Sequence, residues 1–382
     1  MSKALYTSIN GAARKCRKMY TVQDGTTRKI KKGYCVVGGV THKFFGGELR
    51  YYGTATPFDS GRCYNEAASN GTHALFAGGR AGTGGSFTGT VYAYDKNLSK
   101  INTGGMTEAK IEMGAARAGA YAVFAGGRDS SSRLFKIEAF GEGLTATTVA
   151  NGLDKRTTLL GGASTDTHAI FAGGLDSNSD PLNTVTACSN TLTLSKLTNL
   201  TTASGRIEGT TVGDYAIFGG GFIKYTYSYL VQDVVAYSNA LTKVSAQSLS
   251  EGKYDHAVAT VGEYALFAGG HVISTPSYTA KAEIYDASLT KLNPITLSVA
   301  RDELKGVGMG EYVVFGGGYT SSHETSATVD AYDKSLTRVT VDDFSVARKY
   351  FAATSVGEYA LFGGGVTSGS TAITTVDVYT VD

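Results

Sequence analysis

The sequence predicts an all-β protein, a seven-bladed β-propeller with four-stranded blades, preceded by a short N-terminal arm of β-hairpins. An apolar strand ending in phenylalanine and a glycine pair, as in "YALFAGG" (Tyr264 to Gly270), occurs seven times. Successive phenylalanines are 48, 47, 47, 49, 48 and 47 residues apart, a period typical of propellers, solenoids and arrays. The chain has 50 Gly and only 4 Pro, which suits β-structure with many turns. The phenylalanines are Phe76, Phe124, Phe171, Phe218, Phe267, Phe315 and Phe362.

Each repeat is predicted to form four antiparallel strands. The segment "RKYFAATSVGEYALFGGG" (Arg348 to Gly365) has two β-rich runs around a Gly-Glu turn, the pattern of a tight hairpin. After a polar loop, "TVDAYDKSLT" (Thr328 to Thr337) gives a third strand, and a fourth is predicted to begin at Leu336. A four-stranded unit of this length, with glycines after its second strand, is typical of a propeller blade.

The repeat resembles the kelch family over residues 48 to 382. The matching features are the "FAGG" or "FGGG" ending, a base that opens the first strand, and a third-strand tyrosine at Tyr94, Tyr237, Tyr285 and Tyr332. The resemblance implies the propeller fold, whereas a fold of this kind does not specify a function. Kelch blades carry a fourth-strand tryptophan, and this chain has none. Leucine is expected to fill that space, at Leu98, Leu144, Leu192, Leu241, Leu289 and Leu336.

The last repeat lacks a fourth strand of its own, because the chain finishes in the third-strand segment "TTVDVYTVD". Residues Leu49 to Phe58 align with the fourth strands of the other repeats but have no blade before them. We expect this segment to pair with Thr375 to Val381, which would close the ring and remove two exposed sheet edges. The propeller domain is therefore predicted to span residues 47–382.

Residues 1–46 are predicted to form a separate basic arm. Asn10-Gly11, Asp24-Gly25 and Gly38-Gly39 recur at intervals of 14, and such pairs are strong signals for two-residue hairpin turns. The arm has ten Lys and Arg against one acid, a net charge of +9, which leaves −7 for the remainder of the chain. Small hairpins are marginal alone, so we expect the arm to dock onto a partner. The basic residues assigned to docking are Arg14, Lys15, Arg17, Lys18, Arg28, Lys29, Lys31 and Lys32.

Two other interpretations of the arm are solvated strand faces, with lysines protecting the edges, and nucleic-acid binding. Tyr6, Tyr20 and Tyr34 are spaced as turn-flanking strand residues rather than as a base-stacking platform, which disfavours nucleic acid. Short basic hairpin repeats of this kind resemble those in tail and minor structural proteins of phages that infect Gram-positive bacteria. That resemblance implies docking onto other virion proteins.

The sequence gives no indication of catalysis, a cofactor or a metal site. None of the six histidines has a metal-ligand or nucleophile-base spacing with another. The run "DSNSD" from Asp176 begins like a calcium loop, but Pro181 and Ala187 replace its essential Gly and Glu. The four cysteines form no CxxC pair. The protein is therefore predicted not to be an enzyme.

The sequence also has no apolar run of 18 residues and no apolar stretch of signal-peptide type near its start. We therefore expect no membrane span and synthesis in the cytoplasm.

Recognition is expected on the face formed by the second-to-third-strand loops. These vary from "RAGTGGSFTGT" to "GFIKYTYSYLVQ", whereas the turns on the other face are nearly constant. Loops rich in Ser, Thr, Asn and Tyr suit polar surfaces, although they also serve solubility. Tyr225, Tyr227 and Tyr229 alternate and are predicted to share one side of a projecting ribbon that contacts a ligand. Packing on a neighbouring blade or subunit is the alternative.

A base also stands fourteen residues before the phenylalanine in five of the seven repeats. These residues are predicted to ring the channel mouth and bind an acidic glycan or a phosphate-bearing wall polymer, with Arg301 and Arg348 sharing one anion. Hydrogen bonding to loop carbonyls is the alternative. The five bases are Arg62, Lys110, Lys253, Arg301 and Arg348, and the other repeats have Thr157 and Ser204.

These patterns favour a phage virion protein, a tail-associated receptor-binding propeller anchored by its arm. The predicted partners are other tail or baseplate proteins, a host-surface glycan or protein, and further copies of the chain in the particle. The alternative is a kelch-like interaction scaffold of the bacterial cytosol.

Overall fold

The computed structural model describes residues 6–9, 12–15, 19–23, 26–30, 32–37, 40–223 and 229–381, with side chains from residue 47 onward. All regular structure in these residues is β. The chain separates into two compact units, Met1–Arg50 with Thr380–Asp382, and Tyr51–Tyr379.

Seven four-stranded antiparallel sheets follow one another along the chain and form blades 1 to 7. Every blade begins with the strand nearest the central channel. These innermost strands are Glu66–Ser69, Gly114–Ala118, Gly161–Ser164, Glu208–Val212, Ala257–Val261, Lys305–Gly308 and Ala352–Val356. The second strands are His73–Ala77, Tyr121–Ala125, His168–Ala172, Tyr215–Gly219, Tyr264–Ala268, Tyr312–Gly316 and Tyr359–Gly363.

The third strands lie between the second strands and the rim. They are Val91–Asp95, Ile137–Phe140, Val185–Ser189, Val234–Ser238, Lys281–Asp286, Val329–Asp333 and Val376–Val381. The outermost strands are Lys100–Asn102, Ala146–Val149, Leu194–Lys196, Lys243–Ala246, Lys291–Thr296, Arg338–Val339 and, for blade 7, Leu49–Thr54. A further short pair, Arg301–Asp302 with Tyr319–Thr320, lies beside blade 6.

Each innermost strand packs against the next, and the strand of blade 7 packs against that of blade 1. In blade 7 the strand order places Leu49–Thr54 outside Val376–Val381. Two further backbone bonds, Ala55 N to Val376 O and Phe58 N to Thr374 O at 2.9 Å each, continue this pairing. The predicted fold and its closure by an early strand are confirmed. The chain is a seven-bladed β-propeller.

The core lies between blades, where the second and third strands are covered on both faces. The glycine pair after the second strand permits this close packing. Gly269 has a φ of +68°, and a Cβ there would lie 2.6 Å from the backbone oxygen of Arg301. A larger residue would therefore meet both backbone strain and a steric clash.

The recurring leucines lie in turns rather than at the starts of the fourth strands, which corrects the prediction. Leu98 and Leu336 have φ values of 62° and 61°, in the left-handed region. The Leu98 N–H donates to the Asp95 oxygen at 3.0 Å, which closes the turn two residues before the fourth strand begins. Both leucines still pack against the core between blades, the role that the missing tryptophan suggested.

The arm contains three antiparallel hairpins. They pair Tyr6–Ile9 with Ala12–Lys15, Met19–Gln23 with Thr26–Ile30, and Lys32–Val37 with Val40–Gly46. The innermost partners of each hairpin are separated by two residues, as the sequence predicts. The turn residues themselves, 10–11, 24–25 and 38–39, lie outside the described residues.

Candidate functional site

The variable loops surround one mouth of the central channel. Each loop begins after the glycine pair and bonds to the linker that enters the innermost strand, as Arg80 does with Cys63 and Val366 with Lys349. The loops and the start of the channel therefore share one face, which we call the mouth face. The nearly constant turns between first and second strands lie at the other end.

The five predicted ligand-binding bases do not line this mouth, so their predicted placement is wrong. All five side chains are 0–1 % exposed. Their carbon chains run into the blade because the linker enters it beside the ends of the second and third strands, where backbone oxygens converge. Arg62 donates to the oxygens of Gly78 and Thr90, and Lys253 donates to that of Phe267. The alternative, hydrogen bonding to carbonyls, describes these contacts.

Carboxylates of the third strand neutralise most of these buried charges. Lys110 pairs with Glu138 at 2.8 Å, and Arg301 pairs with Asp330 at 2.9 Å. Arg348 pairs with Asp377, so Arg301 and Arg348 each have their own carboxylate and share no anion. Burial lowers the pKa of Lys253 to about 8, against the opposing charge of Glu283.

The acids also hold the linkers that lead into their blades. Glu138 accepts a hydrogen bond from Thr107 N at 2.7 Å, and Asp330 accepts one from Ser298 N at 3.0 Å. The repeats contain a signal for this arrangement. Where the base is replaced by Thr157 or Ser204, the third strand has Thr186 or Val235 in place of the acid.

The predicted aromatic ribbon is described only in part. Tyr225 and Tyr227 lie outside the described residues. Tyr229 is 60 % exposed, and its backbone oxygen accepts a hydrogen bond from Ile223 N at 2.9 Å, which joins the two described ends of the loop. Arg17, Lys18 and Lys31 of the predicted docking set also lie outside the described residues. The side chains of Arg14, Lys15, Arg28, Lys29 and Lys32 do so as well.

The mouth is formed by one residue from each blade, two positions after the base or, in blades 3 and 4, after Thr157 and Ser204. All seven have a left-handed backbone with φ between 52° and 59°, an uncommon conformation for non-glycine residues that clusters at functional sites. Tyr64 and Tyr350 stack with ring centroids 4.2 Å apart, and Arg206 pairs with Asp255 at 2.6 Å. The seven residues of this mouth ring are Tyr64, Glu112, Leu159, Arg206, Asp255, Glu303 and Tyr350.

Below the mouth ring, three charged side chains from blades 1, 4 and 6 converge in a cavity of about 270 Å³. Lys305 Nζ lies 3.9 Å from a Glu66 oxygen and 4.0 Å from a Glu208 oxygen, so both separations exceed hydrogen-bonding distance. We call these residues the channel triad. The equivalent positions in the other blades are Gly114, Gly161, Ala257 and Ala352. The triad was missed from the sequence, although this contrast between repeats identifies it.

The cavity has an excess of acidic groups. Five acids and two bases line it among the described residues. Enclosure and the neighbouring acids raise the pKa of Glu208 to about 7, against the opposing charge of Lys305. Beside the mouth, burial and the charges of Glu303 and Asp255 raise the pKa of Asp302 to about 9. Polar groups of both signs in an enclosed space, next to stacked rings, are typical of a ligand pocket.

No group of three or more His, Cys, Asp or Glu in the described part of the chain is placed to hold a metal ion. A search of the same residues for a helix of the length and apolar character of a membrane span finds none.

Comparison with known proteins supports the fold alone. No family model matches the chain, and no curated protein is significantly similar to it. Among solved structures, the structure of YjhT matches with a TM-score of 0.57 and 13 % identity, over 86 % of this chain and 97 % of that chain. Identity this low extends to architecture and not to function. The kelch-like and phage resemblances therefore stay predictions.

Proposed function

We propose that this protein is a phage virion component that contacts the host surface through the mouth face of its propeller and is anchored to the tail by residues 1–46. The observation that carries this proposal is where the exposed apolar side chains lie. Of six large apolar side chains that are exposed in the described part of the chain, four lie on the variable loops: Phe135, Ile223, Tyr229 and Ile273. Exposed apolar groups that cluster on one face are typical of an interaction surface.

The chemistry of recognition follows from which groups a partner can reach. The five bases that share one position in the repeat are buried and have polar partners, so they form no accessible ring of positive charge. A partner instead meets Ser- and Thr-rich loops, single aromatic or aliphatic side chains on these loops, and the acidic cavity at the centre. Such a surface suits a polar polymer, because aromatic groups stack on sugar faces while hydroxyls adapt their hydrogen bonds.

The arm supplies the anchoring half of the proposal. Its three hairpins are each two-stranded, and its net charge of +9 opposes the −7 of the remainder. A two-stranded hairpin gains stability by pairing with further strands or packing against another protein. An acidic surface on a tail or baseplate protein would provide both the contact and the charge complementarity.

Mass spectrometry of purified particles from the source strain tests this function. We expect peptides of this chain in particles, at a constant ratio to tail proteins through successive density gradients. Replacing Tyr225, Tyr227 and Tyr229 with Ala should reduce adsorption of these particles to host cells, whereas Glu263→Ala, on the opposite face, should not. A chain that stays in the cytosolic fraction and is absent from particles would contradict the proposal and favour the cytosolic scaffold.

A further inference from the structure

The cavity under the mouth ring contains charged groups that a ligand can reach. The side chains of Glu66, Glu208 and Lys305 are 26–32 % exposed inside it. Their separations of 3.9 and 4.0 Å are too long for direct hydrogen bonds to one another. Charged side chains that line a cavity and do not bond to each other remain available to bond to a ligand there.

The charge of the cavity indicates which ligand fits. Glu66 and Glu208 share a single ammonium group, so the triad has one negative charge in excess when both acids are ionised. Because the pKa of Glu208 is about 7, this acid is about half ionised at pH 7 without a ligand, and a cationic ligand favours its ionised form. Glu112 and Asp255 pair with Arg128 and Arg206, and these pairs add no net charge. Glu303 pairs with Lys349. The uncompensated charge is therefore that of the triad.

The size and the aromatic part of the site indicate the rest of the ligand. A cavity of about 270 Å³ holds one sugar ring rather than a chain segment. Tyr64 and Tyr350 line the cavity and stack on each other. Lys305 can donate to a hydroxyl, while the two carboxylates can accept from hydroxyls or from an ammonium group.

We propose that this cavity binds a sugar with a free amino group, the terminal amino sugar of a surface glycan. Its ammonium group lies between Glu66 and Glu208 and its hydroxyls bond to Lys305. This inference rests on the proposed recognition function and names the class of ligand. It replaces the anionic glycan expected from the buried bases, because the accessible charge at the mouth is acidic.

Titration calorimetry or ligand-observed NMR with the intact chain at pH 7 tests the proposal with glucosamine, N-acetylglucosamine, glucose and glucuronate. These probes share one ring and differ mainly in charge. We expect glucosamine to bind at least about tenfold more tightly than glucose, equivalent to about 1.4 kcal/mol, and glucuronate to bind least. A glucosamine tetramer that binds more tightly than the monomer would identify a glycan end, and equal binding would identify the free sugar.

Two variants test the residues with little risk to the fold. Glu66→Ala and Glu208→Ala restore the small residue that other blades have at this position, and each should abolish the preference for glucosamine over glucose. Glu263→Ala removes an exposed carboxylate in a turn on the opposite face and should leave the preference unchanged.

Equal binding of glucosamine and glucose, tighter binding of glucuronate, or no binding of any probe would overturn the proposal. Failure here is distinguishable from failure of the proposed function. If the chain is found in particles and the loop tyrosines are needed for adsorption, the function stands without an amino sugar. If the chain is absent from particles, the preference of the cavity remains measurable in solution.

Discussion

Arg301 and Asp330 form an ion pair 2.9 Å long inside blade 6, with both side chains fully buried. The same pairing of a linker base with a third-strand acid occurs in blades 2 and 7. Removing one member of such a pair strongly destabilises the fold, because the remaining charge is buried without a partner. These ion pairs hold the linker, the second strand and the third strand in one register.

Removing one member of a buried pair should therefore cost more than removing both. We expect Lys110→Thr to lower the free energy of unfolding by about 3–5 kcal/mol, since it leaves Glu138 buried and unpaired. The double variant, Lys110→Thr with Glu138→Thr, reproduces the Thr157 and Thr186 arrangement of blade 3. Its free energy of unfolding should fall by less than half as much as that of Lys110→Thr. Denaturant unfolding measures both. Lys196→Thr, which removes a well-exposed pair with Asp154, is the control and should cost less than about 1 kcal/mol.

If the double variant is as unstable as Lys110→Thr alone, the cost does not come from an unpaired charge.

His256 should make stability fall as the pH decreases. Its ring is buried between blades, and burial with the charges of Lys253 and Lys305 holds its pKa well below 6.5. Because the unfolded chain takes up the proton first, this contribution to stability is complete above about pH 6.5 and is lost below it. The equivalent residues in other blades include Leu160 and Leu304.

His256→Leu should therefore stabilise the protein more at pH 5.5 than at pH 7.5. The measurement is the difference in thermal midpoint between the variant and the unsubstituted chain at each pH. An equal difference at the two pH values would show that the histidine proton is not the cause.

Ring closure predicts different results for two N-terminal deletions. Deleting residues 1–46 leaves all four strands of blade 7, so the thermal midpoint should stay near that of the full chain. Deleting residues 1–58 removes Leu49–Thr54 and also Phe58, which is buried and stacks on Tyr92 at 4.9 Å. The longer deletion should melt at a clearly lower temperature or fail to fold. Equal midpoints for the two deletions would mean that closure adds nothing to stability.

Charge reversal in the arm tests docking separately from folding. Replacing Arg14, Lys15, Arg28 and Lys29 with Glu changes the arm from +9 to +1 and should prevent incorporation into particles. The thermal midpoint of the propeller should not change. Quantitative mass spectrometry of particles, with an alanine version of the same four positions as a milder control, gives the measurement. Incorporation at the usual level would exclude charge-dependent docking.

The repeat itself was predictable from the sequence, because strand period, turn residues and glycine pairs are local signals that occur seven times. The borrowed strand Leu49–Thr54 was also predictable, since it aligns with the fourth strands of complete repeats. The predicted starts of the fourth strands were two residues too early at the leucines. Leucine rarely adopts a left-handed backbone, so the sequence does not indicate a turn there.

The site was harder to predict than the fold. The bases were assigned to the mouth because their position along the strand is periodic, whereas the direction of a long side chain depends on where a counter-charge lies. Glu138 and Asp330 provide it from another strand. The channel triad was not predicted because Glu66, Glu208 and Lys305 come from three separate blades and meet only after the ring has closed.

Adsorption competition with the purified, intact chain tests whether the mouth face binds the host surface. Host cells are incubated with the chain, and the rate of particle adsorption is then measured against chain concentration. We expect saturable inhibition that is weakened in the variant with Tyr225, Tyr227 and Tyr229 replaced by Ala and unchanged in Glu263→Ala. Adsorption that stays at its full rate at every concentration of the chain, or equal inhibition by all three proteins, would contradict recognition through the mouth face.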